Sequence, residues 1–152
     1  MAKVASSNIK QYTFALGRRR EAVARVRLYN PSGSKVQISG IDLKKGEIVV
    51  NNKPINEYFR FSAYGPRYNK FLEDTNSLGG YIFTIKVEGG GLSGQLDAMI
   101  LGMARTLDKL DRDKYHKILR EKGYLTRDPR TRERRKVGMG GKARRKKQSP
   151  KR

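Results

Sequence analysis

The residues best suited to chemistry in this chain are its arginines. The stretch "GRRRE" sets Arg18, Arg19 and Arg20 in a row, and Arg25 and Arg27 follow at alternate positions. A second cluster, "TRDPRTRERRK", holds Arg127, Arg130, Arg132, Arg134, Arg135 and Lys136. A third, "GKARRKKQSPKR", holds Lys142, Arg144, Arg145, Lys146 and Lys147, with Lys151 and Arg152 at the end. A guanidinium is a permanent cation with five donors in a rigid fork, a shape that matches phosphate. The chemistry such groups offer is charge neutralisation and positioning, not bond breaking. One cluster alone is ordinary solvated surface. Here the whole chain carries +21, of which residues 127–152 hold thirteen basic and two acidic side chains, or +11, leaving +10 for residues 1–126. Both parts are basic, so the expected partner is a polyanion. An acidic membrane surface fits less well than nucleic acid. No apolar run approaches a span, and no stretch sets large apolar residues opposite lysine.

Catalytic material is sparse. The single histidine, His116, lies in "DKYHKILREKG" and reads as a helix-surface residue. The fourteen acids are mostly flanked by Lys or Arg and show no metal-ligand spacing. The absence of cysteine excludes disulfides, thiolate metal sites and cysteine nucleophiles. No enzyme activity, metal or cofactor is expected. "EGGGLSGQ" places Gly89, Gly90 and Gly91 between a strand and a helix start, where free backbone N–H groups favour an anion. No Gly-Lys-Ser/Thr ending follows, so Mg-nucleotide chemistry is not supported. Two readings fit the loop: a seat for an RNA phosphate, or a tight strand–helix junction. The N-terminus "MAKVASSNIKQYTF" has no apolar export segment, and the cytoplasm is the default.

The elements that must position these groups follow from hydrophobic period. Residues 1–10 are small and polar and are expected to be mobile. "YTFALGRRREAVARVRLYN" is strand-like. From Ala22 to Tyr29, Ala22, Ala24, Val26 and Leu28 alternate with Val23, Arg25, Arg27 and Tyr29, the pattern of a half-buried strand. Its outer face is either solvated or turned to RNA, with Arg on phosphate and Tyr29 stacked on a base. "KVQIS" is a short strand, followed by "GIDLKKG" and "EIVVNNKP", in which Asn51-Asn52 suits a tight turn with positive φ. "PINEYFRF" starts a short helix, and a helical turn is expected near 68–73. In "YIFTIKVEG", Tyr81, Phe83, Ile85 and Val87 are expected to face the core. Leu96, Met99, Ile100, Met103, Ala104, Leu107 and Leu110 follow helical spacing, with Ser93 as the expected N-cap. A second helix is expected over Asp113–Lys122, ended by Gly123. The whole reads as α+β, with helices on one face of a small mixed sheet. The domain limits are 1–10, 11–126 and 127–152, the last an extended basic tail that does not fold in isolation.

Taken together, "GRRREAVARVRL", "EGGGLSGQLDAMILGMARTL", "KGYLTRDPRTRERRK" and the ending "KQSPKR" resemble the bacterial-type small-subunit ribosomal protein number nine family, in the family's order and spacing. The resemblance implies a left-handed β-α-β crossover in the fold. It also implies a seat on ribosomal RNA in the head of the small subunit. A tail would run toward the peptidyl-site tRNA, with Lys151 and Arg152 near its anticodon stem-loop. The implied neighbours are the third, tenth and fourteenth small-subunit proteins, and the implied place is the cytoplasmic ribosome. The segment "PSGSKVQISGIDLKKGEIVV" is longer than the family's turn and reads as an extra hairpin or loop. Residues 60–80 match poorly, and Pro150 stands where the family has Ser directly before Lys-Arg. Two other classes stand beside this reading: a free RNA or DNA chaperone with a basic tail, and an RNA-processing enzyme. "KARRKK" also resembles a nuclear import signal.

Overall fold

The computed structural model describes residues 12–30, 35–38, 41–135 and 137. The N-terminal residues 1–10, expected to be mobile, and Lys136 lie outside that range, as does everything from residue 138 onward. The strand-like opening is a hairpin. β1 (Tyr12–Arg19) pairs antiparallel with β2 (Ala22–Tyr29), from Tyr12 opposite Tyr29 to Arg19 opposite Ala22. Only Arg20 and Glu21 form the turn, and Arg20 takes a left-handed φ of 51°. A short hairpin, β3 (Lys35–Ile38) and β4 (Ile41–Lys44), fills the long segment read from sequence as an insertion. Next come β5 (Ile48–Val50) and β6 (Lys53–Pro54), joined through Asn51 and Asn52 at φ 47° and 64°. Two consecutive positive φ values match the twist of a tight hairpin, and asparagine tolerates them better than most residues.

After α1 (Ile55–Tyr58) and α2 (Gly65–Asp74), β7 (Ile82–Glu88) enters the middle of the sheet. It runs antiparallel to β2 and parallel to β5, giving the order β1-β2-β7-β5-β6. The sheet is therefore mixed and the fold α+β, as expected. α2 is longer than the expected turn over 68–73. Pro66 stands in its first turn, where a missing N–H costs nothing, and Phe71 and Leu72 drive it into the core.

One face of the sheet builds that core. Ala22, Ala24, Val26 and Leu28 of β2, with Phe83, Ile85 and Val87 of β7, meet α3 (Leu92–Leu110) and α4 (Arg112–Glu121). From α3 come Leu96, Met99, Met103 and Leu107; from α4, Tyr115 and Leu119. The alternation read from sequence thus assigns both strands correctly. Ile82 is also buried, but on the opposite face, where Leu43 of the inserted hairpin packs over it and Tyr29.

Glycines let α3 lie directly on the hairpin. A Cβ at Gly17 would stand 1.8 Å from the Ala98 carbonyl oxygen, and one at Gly102 would stand 2.6 Å from Val26 Cγ2. α3 also reaches around the outermost strand. Arg105 Nη1 donates to the Leu16 carbonyl at 2.9 Å and Lys109 Nζ to the Phe14 carbonyl at 3.2 Å.

Two helix boundaries differ from the sequence reading. The N-cap of α3 is Gly91, with no side-chain capping bond, and Ser93 already lies inside the helix. The helix starts earlier because Gln95 N donates to the Gly91 carbonyl at 2.9 Å, closing a first turn two residues before Ser93 could cap one. α4 begins at Arg112, capped by Asp111, whose Oδ1 accepts from Lys114 N at 3.1 Å. It ends at Gly123 as expected. Gly123 has φ 74°, Tyr124 N donates to the Leu119 carbonyl at 2.9 Å, and Gly123 N donates to the Arg120 carbonyl at 3.1 Å. That pair of bonds is the Schellman closure, which needs a left-handed residue at this point.

Candidate nucleic-acid interface

The β1–β2 turn and the start of α3 meet at one end of the sheet. Gly89 has φ 72°, and a Cβ there would lie 2.4 Å from the Glu21 carbonyl oxygen. At Gly90 the added atom would meet Ala22 Cβ at 3.1 Å, whereas at Gly91 nothing stands within 4 Å. The glycines therefore divide. Gly89 and Gly90 form a close backbone junction, and Gly91 keeps open space at the helix mouth. Gln95 holds the loop by donating Nε2 to the Gly89 carbonyl at 3.0 Å, and Tyr58 in turn donates to Gln95 Oε1 at 2.8 Å. Asn51 fastens the same end of β7, donating to the Val87 carbonyl at 3.0 Å and accepting from Val87 N at 2.9 Å. The N-terminus of α3 thus opens next to the β1–β2 turn, in which Arg20 is exposed.

Arg19 is turned the other way. Its side chain is only 12% exposed and bonds Asp128 Oδ2 at 2.8 Å through Nη2. Nη1 donates to the Arg130 carbonyl at 2.8 Å, and Nε stands 3.7 Å from Asp97 Oδ2 on α3. Asp97 also pairs with Arg67 of α2. Asp128 accepts from Arg130 N at 2.9 Å, Nε at 3.0 Å and Nη2 at 2.7 Å. These bonds from Arg130, helped by the charge of Arg19, hold the Asp128 carboxyl well below the usual carboxylate range, and Asp128 in return raises Arg130. The middle arginine of "GRRRE" is thus a clasp on the segment that follows α4. No spacing in the sequence marks this link, which joins residues 111 positions apart. Arg127, Arg132, Arg134 and Arg135 lie at the surface. Lys136, Lys142, Arg144, Arg145, Lys146, Lys147, Lys151 and Arg152 belong to the undescribed residues.

The outer sheet face carries the remaining predicted residues. Arg25 Nη2 pairs with Glu88 Oε1 at 2.8 Å, and Lys86 Nζ reaches the same oxygen at 3.3 Å. Lys86 and then Arg25 lower the Glu88 carboxyl from its ordinary value by hydrogen bonding. Arg27 Cζ lies 5.1 Å from the centre of the Tyr12 ring. Tyr29 is 4% exposed, covered by Leu43, so the expectation that it stacks on a base fails. The open aromatics are Tyr12 and Phe14 on β1, with Leu16 beyond them. Positions 12, 14 and 16 alternate along a strand, a signal that could have found them.

His116 is half-buried, its Nδ1 2.7 Å from Asp108 Oδ1, joining α4 to α3. Among the described residues no group of three or more His, Cys, Asp or Glu could hold a metal ion, and no helix is long and apolar enough to cross a membrane.

These features define a class first: an α+β domain with a cationic surface, its arginines divided between solvent and internal clasps. Similarity to known proteins then gives the family. The profile of Ribosomal protein S9/S16 matches residues 17–152, and the chain belongs to that family. The "Small ribosomal subunit protein uS9" of Trichormus variabilis is 42% identical over 124 residues, covering 81% of this chain and 80% of the relative. The protein of that name from Thermotoga petrophila is 42% identical over 126 residues, 83% of this chain and 86% of the relative. That of Synechocystis sp. is 41% identical over 135 residues, 88% of each. The chain is a non-enzymatic constituent of the small ribosomal subunit and serves translation.

Proposed function

We propose that the domain seats itself on small-subunit ribosomal RNA in the subunit head, while the C-terminal tail reaches the peptidyl-site tRNA. The observation that carries this reading is the end of the fold where the β1–β2 turn, with exposed Arg20 in it and exposed Arg18 just before it, packs against the glycine loop that opens α3 at Gly91. Free helix N–H groups and nearby guanidinium groups together suit a phosphate. The Arg25/Arg27 face and the second cluster add backbone contacts, which give affinity without reading sequence. Arg19 acts through the tail: it fixes where residues 127–152 leave the body. From Pro129 to Arg152 the chain at full extension spans at most about 80 Å, at 3.3–3.6 Å per residue. The RNA itself orders such an arm. Lys151 and Arg152 would then meet tRNA phosphate, and Pro150 biases Ser149 toward the extended geometry such a tip requires. The parallel pair β5–β7 is the place for the left-handed crossover, through α1 and α2. The third, tenth and fourteenth proteins of the subunit are the proposed neighbours.

Removing Lys151 and Arg152 should leave incorporation into subunits intact and weaken retention of peptidyl-site tRNA. A truncated chain that failed to enter subunits would refute the division of labour. Arg18→Ala with Arg20→Ala should weaken binding to ribosomal RNA and flatten its salt dependence, because fewer counterions are released. An unchanged salt slope would remove this end of the fold from the interface.

A further inference from the structure

The outer sheet face holds exposed aromatic side chains, Tyr12 with its ring 5.6 Å from that of Tyr29 and Phe14 beside Lys109. Tyr12, Phe14 and Leu16 are 43%, 56% and 38% exposed, and none of them belongs to a buried cluster. All three lie on one side of β1, because alternate residues of a strand share a face. Beside them a groove of about 800 Å³ runs across β2 and β7, with Leu43 of the inserted hairpin among its lining residues. Its charge is one-sided. Arg25, Arg27 and Lys86 line it, against the single carboxylate of Glu88.

We infer that this groove is a stacking platform for single-stranded RNA, with bases on Tyr12 and Phe14 and phosphates toward Arg25, Arg27 and Lys86. The inference rests on the proposed RNA-binding role and gives its Arg25/Arg27 face, away from the mouth of α3, a base-stacking part. Charge decides the occupant. A protein partner would meet three cations beside an apolar strip, whereas a single strand supplies phosphate and an exposed π-face at every nucleotide. Tyr12 and Phe14 stand two residues apart on a strand, about 6.7 Å. That spacing suits bases splayed from a loop or bulge and not bases enclosed in a duplex. The rings are already in cationic surroundings, Arg27 against Tyr12 and Lys109 Nζ 5.3 Å from the Phe14 ring centre. A base laid on either ring therefore brings its phosphate close to positive charge.

The chain has no tryptophan, so Phe14→Trp places a single indole on this face. The full-length variant is titrated with oligouridine and, separately, with an RNA duplex of equal length, with binding followed in parallel by mobility shift. Quenching by oligouridine and not by the duplex is expected. Tyr12→Leu with Phe14→Leu keeps the face apolar but removes stacking. It should weaken oligouridine binding roughly tenfold and leave the duplex unaffected. Thermal midpoints of both variants confirm that the exposed positions tolerate the changes. If oligouridine binds while the indole signal stays still, the platform is refuted and the proposed RNA role stands. Full affinity in the leucine pair would equally overturn it, and would assign the face to an apolar protein contact. If neither RNA binds the parent chain, the proposed function falls with it.

Discussion

Replacing Gly17 with alanine tests how closely the hairpin and α3 are built against each other. The added Cβ would stand 1.8 Å from the Ala98 carbonyl oxygen and 2.6 Å from Gly102 N, where ordinary contact begins at 3.4 Å. The shortfall at the nearer atom is about 1.6 Å, and both obstacles are backbone. No rotamer change relieves them, so α3 must lift from β1 or the strand must bend away. Lifting loosens the Val26–Gly102 contact and pulls Arg105 from the Leu16 carbonyl. Overpacking a core costs about 1–3 kcal/mol in general, and two fixed backbone atoms put this case at about 3 kcal/mol. At about 4 °C per kcal/mol for a domain of this size, the melting midpoint should fall by about 12 °C. Circular dichroism of the full chain during heating measures it. Gly91→Ala is the control, with no atom within 4 Å of the new methyl and a φ of −116°. It should cost no more than about 1 kcal/mol, the scale of a changed N-cap. A Gly17→Ala midpoint within about 2 °C of the parent would refute the close-packing argument.

Arg19→Ala should release the root of the tail. Trypsin cleavage at Arg127 and Arg130 is expected to accelerate severalfold, and an unchanged cleavage rate would show that the clasp holds nothing. The pair Tyr124 and Asp74 gives a prediction in pH. Tyr124 donates to Asp74 Oδ2 at 2.7 Å. Burial first, and then that bond, push the Tyr124 hydroxyl up to about 12. An unfolded tyrosine ionises near 10, so this stabilisation is intact below about pH 10 and is lost as pH rises toward the folded value. Asp74 is lowered, chiefly by the Tyr124 bond, so its contribution is present above the ordinary carboxylate range and is lost as pH falls through the folded value. Tyr124→Phe should therefore flatten the alkaline fall in stability and weaken the acid side as well. Denaturant titrations across pH would show both changes, and superimposable profiles would contradict the coupling.

Hydrophobic period makes β2 and α3 legible in the chain itself. Alternation at Ala22, Ala24, Val26 and Leu28, and helical spacing from Leu96 to Leu110, each name the face that becomes core. Asn51-Asn52 and Gly123 are legible because a positive φ narrows the choice of residue. The β1–β2 turn is hidden for the converse reason: Arg20 takes a left-handed φ that its side chain does not advertise. Ser93 misleads because a good capping side chain carries no information about where the first turn closes. At the surface, Arg18 to Arg20 read as one cluster. Folding splits it, since alternate strand positions face opposite ways and Arg19 finds carboxylates on α3 and beyond α4. Tyr29 looks exposed by alternation, but the inserted hairpin brings Leu43 over it, a contact between elements that no local pattern encodes.

The two bonds from Arg105 and Lys109 to the carbonyls of β1 bear on the chain before it reaches its RNA. β1 is the outermost strand, and an open strand edge is a template on which a second copy can add itself. With the Leu16 and Phe14 carbonyls already engaged, that template is interrupted at two consecutive outward acceptors. A newly made chain can then wait for a subunit without enlisting its siblings.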